Sequence, residues 1–384
     1  MDRRYDIVTA DEITEGDATD AYFERTEEIL EGEGTNPEVV AEIGEVVETP
    51  HVFSGLKDVA HLLEGKDIDL YALPEGSLFE RAPAMRIEGE YLSFGRYETA
   101  ILGFVCKASA IASATARLKA AAGDVPVASF GTRREHPSTA AMIERSAHIG
   151  GADGFSNVAG ARAVGLEATG TMPHALVICM RDQTRAWKAY DEHLEEEVPR
   201  IMLCDTYEDE KKESLDASEA LGDAIDSVRL DTTGSRRGDM REIAEEVRWE
   251  LDAHGYEDVG IFVSGGIGVE EVLELRDIVD GFGAGGSIAS VPPVDFSLDI
   301  VEVEGELAGK RGEKSGRKEV VHEGADGWNE RVLHADEADA KDSEYVQVLD
   351  GGKIVHDFSL EDARDRLLSN LGAIKETVES DARE

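Results

Sequence analysis

Between residues 125 and 284 the chain repeats one texture: a short apolar run, a polar or glycine-rich break, then a stretch with apolar positions three and four apart. The apolar runs Val125–Phe130, Gly154–Asn157, Ala168–Thr171, Ile201–Asp205, Val228–Asp231, Val259–Ser264 and Gly281–Ala284 predict strands. The stretches Ser138–Ile149, Gln183–Glu197, Glu210–Leu221, Met240–His254 and Glu270–Val279 predict amphipathic helices between them. Strands joined through helices must pair in parallel, since only a crossover brings the chain back to the same end of the sheet. Seven such strands fit a β/α barrel, with a doubly wound open sheet as the alternative. In both, the loops at the C-terminal ends of the strands carry the chemistry.

The flanks read differently. Asp17–Leu30 predicts a helix, and Val46–Thr49, Tyr71–Pro74 and Met85–Glu88 predict short strands bounded by turns. Ala100–Ala122 is long, rich in small residues and helical, a buried connecting helix. Past Val291-Pro292-Pro293 the regular texture breaks; Asp299–Val303, Tyr345–Leu349 and Gly352–His356 alternate like strands, and Leu360–Glu376 predicts a last helix. The expected organisation is an N-terminal β-rich domain over 1–105, a catalytic barrel over 106–290, and a C-terminal segment over 291–384 that packs on the first. The fold class is therefore α/β, with an α+β appendage built from both ends of the chain.

Composition changes the picture in one respect. The 384 residues carry a net charge of −44, spread along the whole length, while 41% of positions are hydrophobic. Regular apolar segments between the charges exclude the disordered class. An acidic surface on a folded protein suits a salt-rich, reducing cytoplasm, where ions screen self-repulsion. It argues against nonspecific binding to nucleic acid and to anionic membranes. No apolar run approaches membrane-spanning length, and the start lacks the apolar stretch of a signal peptide. Cys106, Cys179 and Cys204 are isolated in apolar segments and read as buried hydrophobes.

Candidate chemistry gathers at the strand ends. Phe130, Arg133 and Arg134 follow the first run, an aromatic face beside two planar cationic forks that suits a flat anion. His136 and a proline come next. Taken singly, these are a core ring and surface ion pairs; taken together, they point to a site. Gly170-Thr171-Met172-Pro173-His174 ends the third run with a histidine, which suits acid–base work, a ligand, a phosphoryl acceptor or a structural bond. Asp205 and Asp231 end later strands and suit ribose hydroxyls, magnesium or helix caps. Arg229, two residues before Asp231, should share its face. Ser264-Gly265-Gly266 and Gly285-Gly286 make two successive glycine turns at the last strands, where barrels bind phosphate. The spacing of a dinucleotide or P-loop motif is absent.

The chain resembles the nicotinate phosphoribosyltransferases in their archaeal branch, and more broadly the nicotinate, nicotinamide and quinolinate phosphoribosyltransferases, over residues 10–320. The resemblance rests on Thr19-Asp20-Ala21-Tyr22-Phe23, Phe53-Ser54-Gly55-Leu56, Leu73-Pro74-Glu75-Gly76, the Phe130–Pro137 segment, Phe155-Ser156-Asn157-Val158-Ala159-Gly160, Gly170–His174, Cys204-Asp205-Thr206-Tyr207, Arg229-Leu230-Asp231 and Ser264-Gly265-Gly266. It implies a type II phosphoribosyltransferase-like barrel, working as a homodimer or higher oligomer with sites at subunit contacts. It implies the joining of nicotinate and phosphoribosyl pyrophosphate, in the salvage of pyridine nucleotides, with magnesium and with coupled ATP hydrolysis through a phosphohistidine.

By the same resemblance, Phe130 stacks on the pyridine, with Tyr22 of a neighbouring subunit on its other face. Arg133 sits at the substrate and phosphate anions, Arg134 beside it is a candidate for substrate contact or support, and Ser156 stands where amide-using relatives carry an aspartate. His174 is the phosphoryl acceptor, Arg229 and Asp231 hold the ribose region, and Ser264, Gly265, Gly266, Gly285 and Gly286 hold phosphate. One departure is that some archaeal relatives carry a cysteine-based zinc knuckle near the C-terminus. Here no cysteine follows Cys204, and His322 and His334 do not replace the motif, so no structural zinc is expected. The rivals are a quinolinate-type enzyme, with Arg134, His136 or Lys310 receiving a second carboxylate, and a noncatalytic nucleotide-binding barrel.

Overall fold

The computed structural model describes residues 4–235, 238–322, 328–337 and 343–383. The chain divides into two compact units: Met1–Ser113 with His148–Gly150 and Pro292–Thr377, and Ala114–Ala147 with Gly151–Val291 and Val378–Glu384.

The first unit is built on a seven-stranded sheet in the order Glu306–Leu307, Ser297–Val303, Glu38–Gly44, Pro83–Glu90, Ile68–Ala72, Val346–Asp350, Lys353–Ile354. Every pairing is antiparallel, so strands from both ends of the chain interleave. The interior strand Glu38–Gly44 was not expected, and Val46–Thr49 just after it is not a strand. The reason lies in Glu42, which breaks the apolar pattern but is buried (5% exposed). The Lys318 ammonium donates to it at 2.6 Å and the Lys318 backbone N–H at 2.7 Å. Burial pushes the Glu42 carboxyl up, and Lys318 opposes the shift.

The basic stretch 310–318 is largely spent in such pairs, with Lys310 on Asp299, Arg317 on Glu302 and Lys318 on Glu42. A cavity of about 710 Å³ in this unit is lined by Glu42, Arg81, Asp299, Lys318 and Glu330 among others. The carboxylates of Glu42, Asp299 and Glu330 are matched, the last by the backbone N–H groups of Glu80, Arg81 and Ala82. The His322 side chain lies outside the described residues; His334 pairs with Lys318 at the open end of the hairpin Lys318–His322 and Glu330–His334.

One stretch, Tyr91–Ala122, does reach membrane-spanning length and apolarity, contrary to the sequence expectation. It contains the 25-residue helix Glu98–Ala122, and more than half of its most apolar window is buried in the protein. Small residues explain this: the buried Ser109 and Ser113 hydroxyls accept the backbone N–H groups of Ser54 and Val52. A helix apolar all round can serve as a core helix, and here its neighbours are protein.

The second unit carries six parallel strands in the order Gly154–Phe155, Val127–Ser129, Gly281–Ala284, Gly260–Ser264, Ser227–Leu230, Ile201–Leu203. The first strand in sequence pairs with the last, Val127 beside Phe282. That closure distinguishes a barrel from a doubly wound sheet, whose first and last strands are apart. The seventh candidate, Ala168–Thr171, is not a strand. Thr169 N–H bonds to Phe155 O, but the return bond comes from Phe155 N–H to the Thr169 hydroxyl. A side chain has taken the place of a ladder bond beside a strand only two residues long. The helices Ala140–Ile149, Gln183–His193, Glu210–Leu221, Met240–Ala253 and Val269–Leu275 stand between strands. Three begin on aspartate caps, Asp182, Asp209 and Asp239.

Glu98 opens the long helix. Burial, with Asp299 and Asp20 adding and Lys310 opposing, pushes its carboxyl up from 4.5 to about 7. A carboxyl raised on folding holds its proton more tightly in the folded state, so stability is lost as pH rises from about 4.5 through about 7. Glu98→Gln is therefore expected to flatten the fall of Tm between about pH 5 and pH 8, and to gain on the order of 1 kcal/mol at the upper end after solvent screening. Thermal melts across that range check it; a curve parallel to the parent's rejects the assignment.

Candidate active site at the strand ends

Parallel strands deliver their final residues to one end of the sheet, and the chemically loaded residues of the second unit follow those ends. Val127–Ser129 leads into Phe130, whose N–H bonds to Ala284 O on the neighbouring strand. Its ring lies 6.1 Å from Phe262. Space for it comes from Gly283: a Cβ there would lie 2.8 Å from Phe130 Cδ2 and nearer still to Cε2. The next strand end places Ser156, whose N–H bonds to Ser129 O at 3.1 Å.

Arg229, on Ser227–Leu230, is the hub. Its guanidinium stands over the Phe130 ring, 5.5 Å from the centroid. Nε donates to Ser264 Oγ at 2.9 Å, Nη1 donates to the Thr171 hydroxyl, and Nη2 lies 3.2 Å from Asp231 Oδ2. The shared face of Arg229 and Asp231 expected from strand alternation is thus present. Ser264 Oγ in turn donates to Asp231 Oδ1 at 2.8 Å. Burial pulls the Arg229 pKa down, and the carboxylates of Asp231 and Asp205 oppose it. Gly265 and Gly266 follow with φ of +87° and +78°, a left-handed turn that a side chain would strain. A Cβ on Gly265 would lie 2.9 Å from Asp231 Oδ1. Gly285 and Gly286 lead into the short helix Gly286–Ala289 after the last strand.

His174 begins the helix His174–Met180. Its Nε2 lies 3.7 Å from both Asp205 Oδ1 and Asp231 Oδ2, and its Nδ1 lies 3.2 Å from Thr206 Oγ1. Asp205 has a side chain only 1% exposed. Its Oδ2 accepts from Asp231 N–H at 2.6 Å and from the Thr232 hydroxyl, while Oδ1 has no hydrogen-bond partner. Burial pushes this carboxyl up, and the Asp231 N–H and His174 pull it back. An orphaned buried carboxylate oxygen aimed at an imidazole invites a cation or a proton. Among the described residues no three His, Cys, Asp or Glu side chains converge on a metal position.

Other expected residues stand apart from this cluster. Arg133 and Arg134 sit on the exposed turn Gly131–Arg134; Arg133 is near enough to lower the pKa of Arg229, and Arg134 has no ion pair among the described residues. His136 is exposed, and its Nδ1 accepts from the Ser138 N–H to cap the next turn. Tyr22 belongs to the first unit, 57% exposed on the helix Ala21–Glu33. Thr171 and Thr206, which face Arg229 and His174, were visible only as parts of longer motifs. Gly283→Ala is expected to displace the Phe130 ring and cost about 1–3 kcal/mol by overpacking. Chemical denaturation measures it; an unchanged midpoint would mean the ring is not confined by that strand.

Comparison with known proteins places this geometry. The pattern of the quinolinate phosphoribosyl transferase N-terminal domain matches residues 20–109, and that of its C-terminal domain matches residues 111–299. The crystal structure of nicotinate-nucleotide pyrophosphorylase from Pyrococcus furiosus shares 46% identity, covers 97% of this chain and 99% of its own, and superposes with a TM-score of 0.92. The nicotinate phosphoribosyltransferase pncB2 of Mycobacterium tuberculosis is 32% identical over 249 residues, 62% of this chain and 52% of its own. That of Bacillus subtilis is 33% identical over 210 residues, 54% of this chain and 42% of its own. The chain thus spans about half the length of the curated relatives it matches. Human nicotinic acid phosphoribosyltransferase, at 20% identity, 92% and 94% coverage and a TM-score of 0.75, shares the fold.

Proposed function

The chain belongs to the quinolinate phosphoribosyltransferase family, and we propose that it joins nicotinate to phosphoribosyl pyrophosphate, giving nicotinate mononucleotide and pyrophosphate for the synthesis of NAD. The observation that carries this reading is the cluster around Arg229: an aromatic face, a buried guanidinium, two carboxylates, a histidine and a left-handed glycine turn at one sheet end.

In this reading the pyridine lies on Phe130, with Tyr22 of a second copy of the chain on its other face. Its carboxylate is met by Arg133, with Arg134 as a further candidate, Arg229 and Asp231 hold the ribose region, and Ser156 leaves the acid unopposed by negative charge. The pyridine nitrogen attacks the anomeric carbon as the bond to pyrophosphate breaks. Positive charge builds on the sugar, and Asp231 is placed to stabilise it. The turns at Ser264-Gly265-Gly266 and Gly285-Gly286 present backbone amides to phosphate. Asp205 Oδ1 and Asp231 suit magnesium, a hard cation that takes one or two carboxylates and completes its shell from substrate phosphates. Bound there, it would neutralise the leaving pyrophosphate. His174 is the proposed phosphoryl acceptor through which ATP hydrolysis is coupled. We place the enzyme in the cytoplasm, as a homodimer or a higher assembly, in a salt-rich medium.

A second reading, quinolinate as the acid, is favoured by the family patterns and by the name of the 46% identical relative. Assays at molar potassium chloride with nicotinate, quinolinate and nicotinamide in turn, with and without ATP, separate them. Nicotinate mononucleotide from nicotinate is expected; product from quinolinate alone, with carbon dioxide released, overturns the proposal. His174→Ala should abolish stimulation by ATP, and coupling that survives it removes the histidine's role. Ser156→Asp should lower kcat/KM for nicotinate by about 10- to 100-fold, the effect of a like charge against its carboxylate. Steady-state rates measure the ratio, and an unaltered value detaches Ser156 from the acid.

A further inference from the structure

Glu213 is absent from every motif above, yet the site's histidine depends on it. It lies one turn into the helix Glu210–Leu221 and is 2% exposed. Its two oxygens take four donors. Oε1 accepts the backbone N–H groups of Tyr207 and Glu208, both at 2.7 Å. Oε2 accepts Thr206 N–H at 2.8 Å and the side-chain amide of Gln183. Three successive N–H groups of one turn therefore hang on a single carboxylate. That turn begins with Asp205 and Thr206, whose side chains face the two ring nitrogens of His174.

Helix capping does not account for this arrangement. Asp209 already caps the helix, accepting Lys212 N–H at 2.9 Å. Tyr207 and Glu208 are exposed residues of a surface turn, yet their N–H groups are turned inward to this buried carboxylate. Burying an ionised carboxylate is costly, and a hydrogen bond made in exchange for one to water returns little net stability. What the burial achieves is geometry, since a fully bonded polar network admits one arrangement.

We propose that Glu213 is a positioning residue for His174: by fixing the Asp205–Thr206 turn it holds the imidazole in one tautomer and one orientation. The proposal rests on the reading of His174 as a functional histidine. Glu213 touches neither the ring nor any candidate ligand group, and it acts through Thr206 on Nδ1 and through Asp205 on Nε2, where Asp231 also faces the ring.

The test is Glu213→Gln in the full-length chain. The variant keeps Oε1 for Tyr207 and Glu208. It replaces Oε2 by an amide that opposes Thr206 N–H, while Gln183 can turn its own oxygen to meet it. The ring nitrogens of His174 are read by 15N NMR, and kcat and the KM for nicotinate are measured in the parent and in a His174→Ala background. Expected are a single tautomer in the parent and a mixture in the variant. With them should come a fall in kcat of about tenfold with KM within about twofold, and less than about a twofold effect when His174 is absent. Unchanged ring signals in the folded variant, or equal losses in both backgrounds, overturn the proposal. Should Glu213→Gln not fold, Glu213→Asp, which keeps the charge but withdraws it from the turn, must shift the ring signals in the same direction. If the parent turns over no pyridine acid, the functional reading fails, while the ring signals still decide the role of Glu213.

Discussion

A buried guanidinium has to be paired, and the strand ends of the second unit are organised by that requirement. Arg229 reaches four separate pieces of chain: the Phe130 ring after one strand, Thr171 in the loop beyond the next, Asp231 after its own strand and Ser264 on the neighbouring one. Each partner is fixed elsewhere, Ser264 by Asp231 and Asp231 by Asp205. Removing the central cation would leave the carboxylates of Asp205 and Asp231 without their paired guanidinium, so the charges of the site depend on one another.

Much of this was legible in the sequence, because it follows from periodicity. The helix Glu210–Leu221 has the limits its pattern predicted, and six of seven strand candidates are strands. Errors occurred where a side chain supplied what the backbone normally does. Thr169 stood in for a ladder bond, so Ala168–Thr171 reads as a strand and is a loop. Glu42 stood among apolar neighbours because Lys318, 276 residues later, meets it. No local pattern can anticipate a bond across that separation.

The same distinction divides the site. Phe130, His174, Arg229, Asp231 and the glycine turns drew attention by falling together at successive strand ends, and Ser156 only through the family resemblance. Arg229 and Asp231 were expected to share a face, and they do. Glu213 gave no such signal: it is one acidic residue in Glu208-Asp209-Glu210-Lys211-Lys212-Glu213, within a chain holding 83 of them. Its burial depends on the helix phase and on the turn ahead of it, both properties of the fold. Arg134 and His136 drew attention by their types as well; the structure leaves both exposed, with His136 in a local cap.

The charge balance bears on how an anionic ligand reaches this cluster. A chain at −44 repels anions at long range. The C-terminal cations do little to offset this, because Lys310, Arg317 and Lys318 are paired within their own unit. Concentrated salt shortens the range of that repulsion to a few ångströms. The same screening weakens exposed cations such as Arg133 and Arg134 far more than a buried one. In concentrated salt the approach of any anion is less opposed, and the Arg229 side chain, 11% exposed, is less open to screening ions than Arg133 and Arg134 on the surface. The burial that makes Arg229 depend on its neighbours thus also leaves its charge less screened than that of a surface arginine.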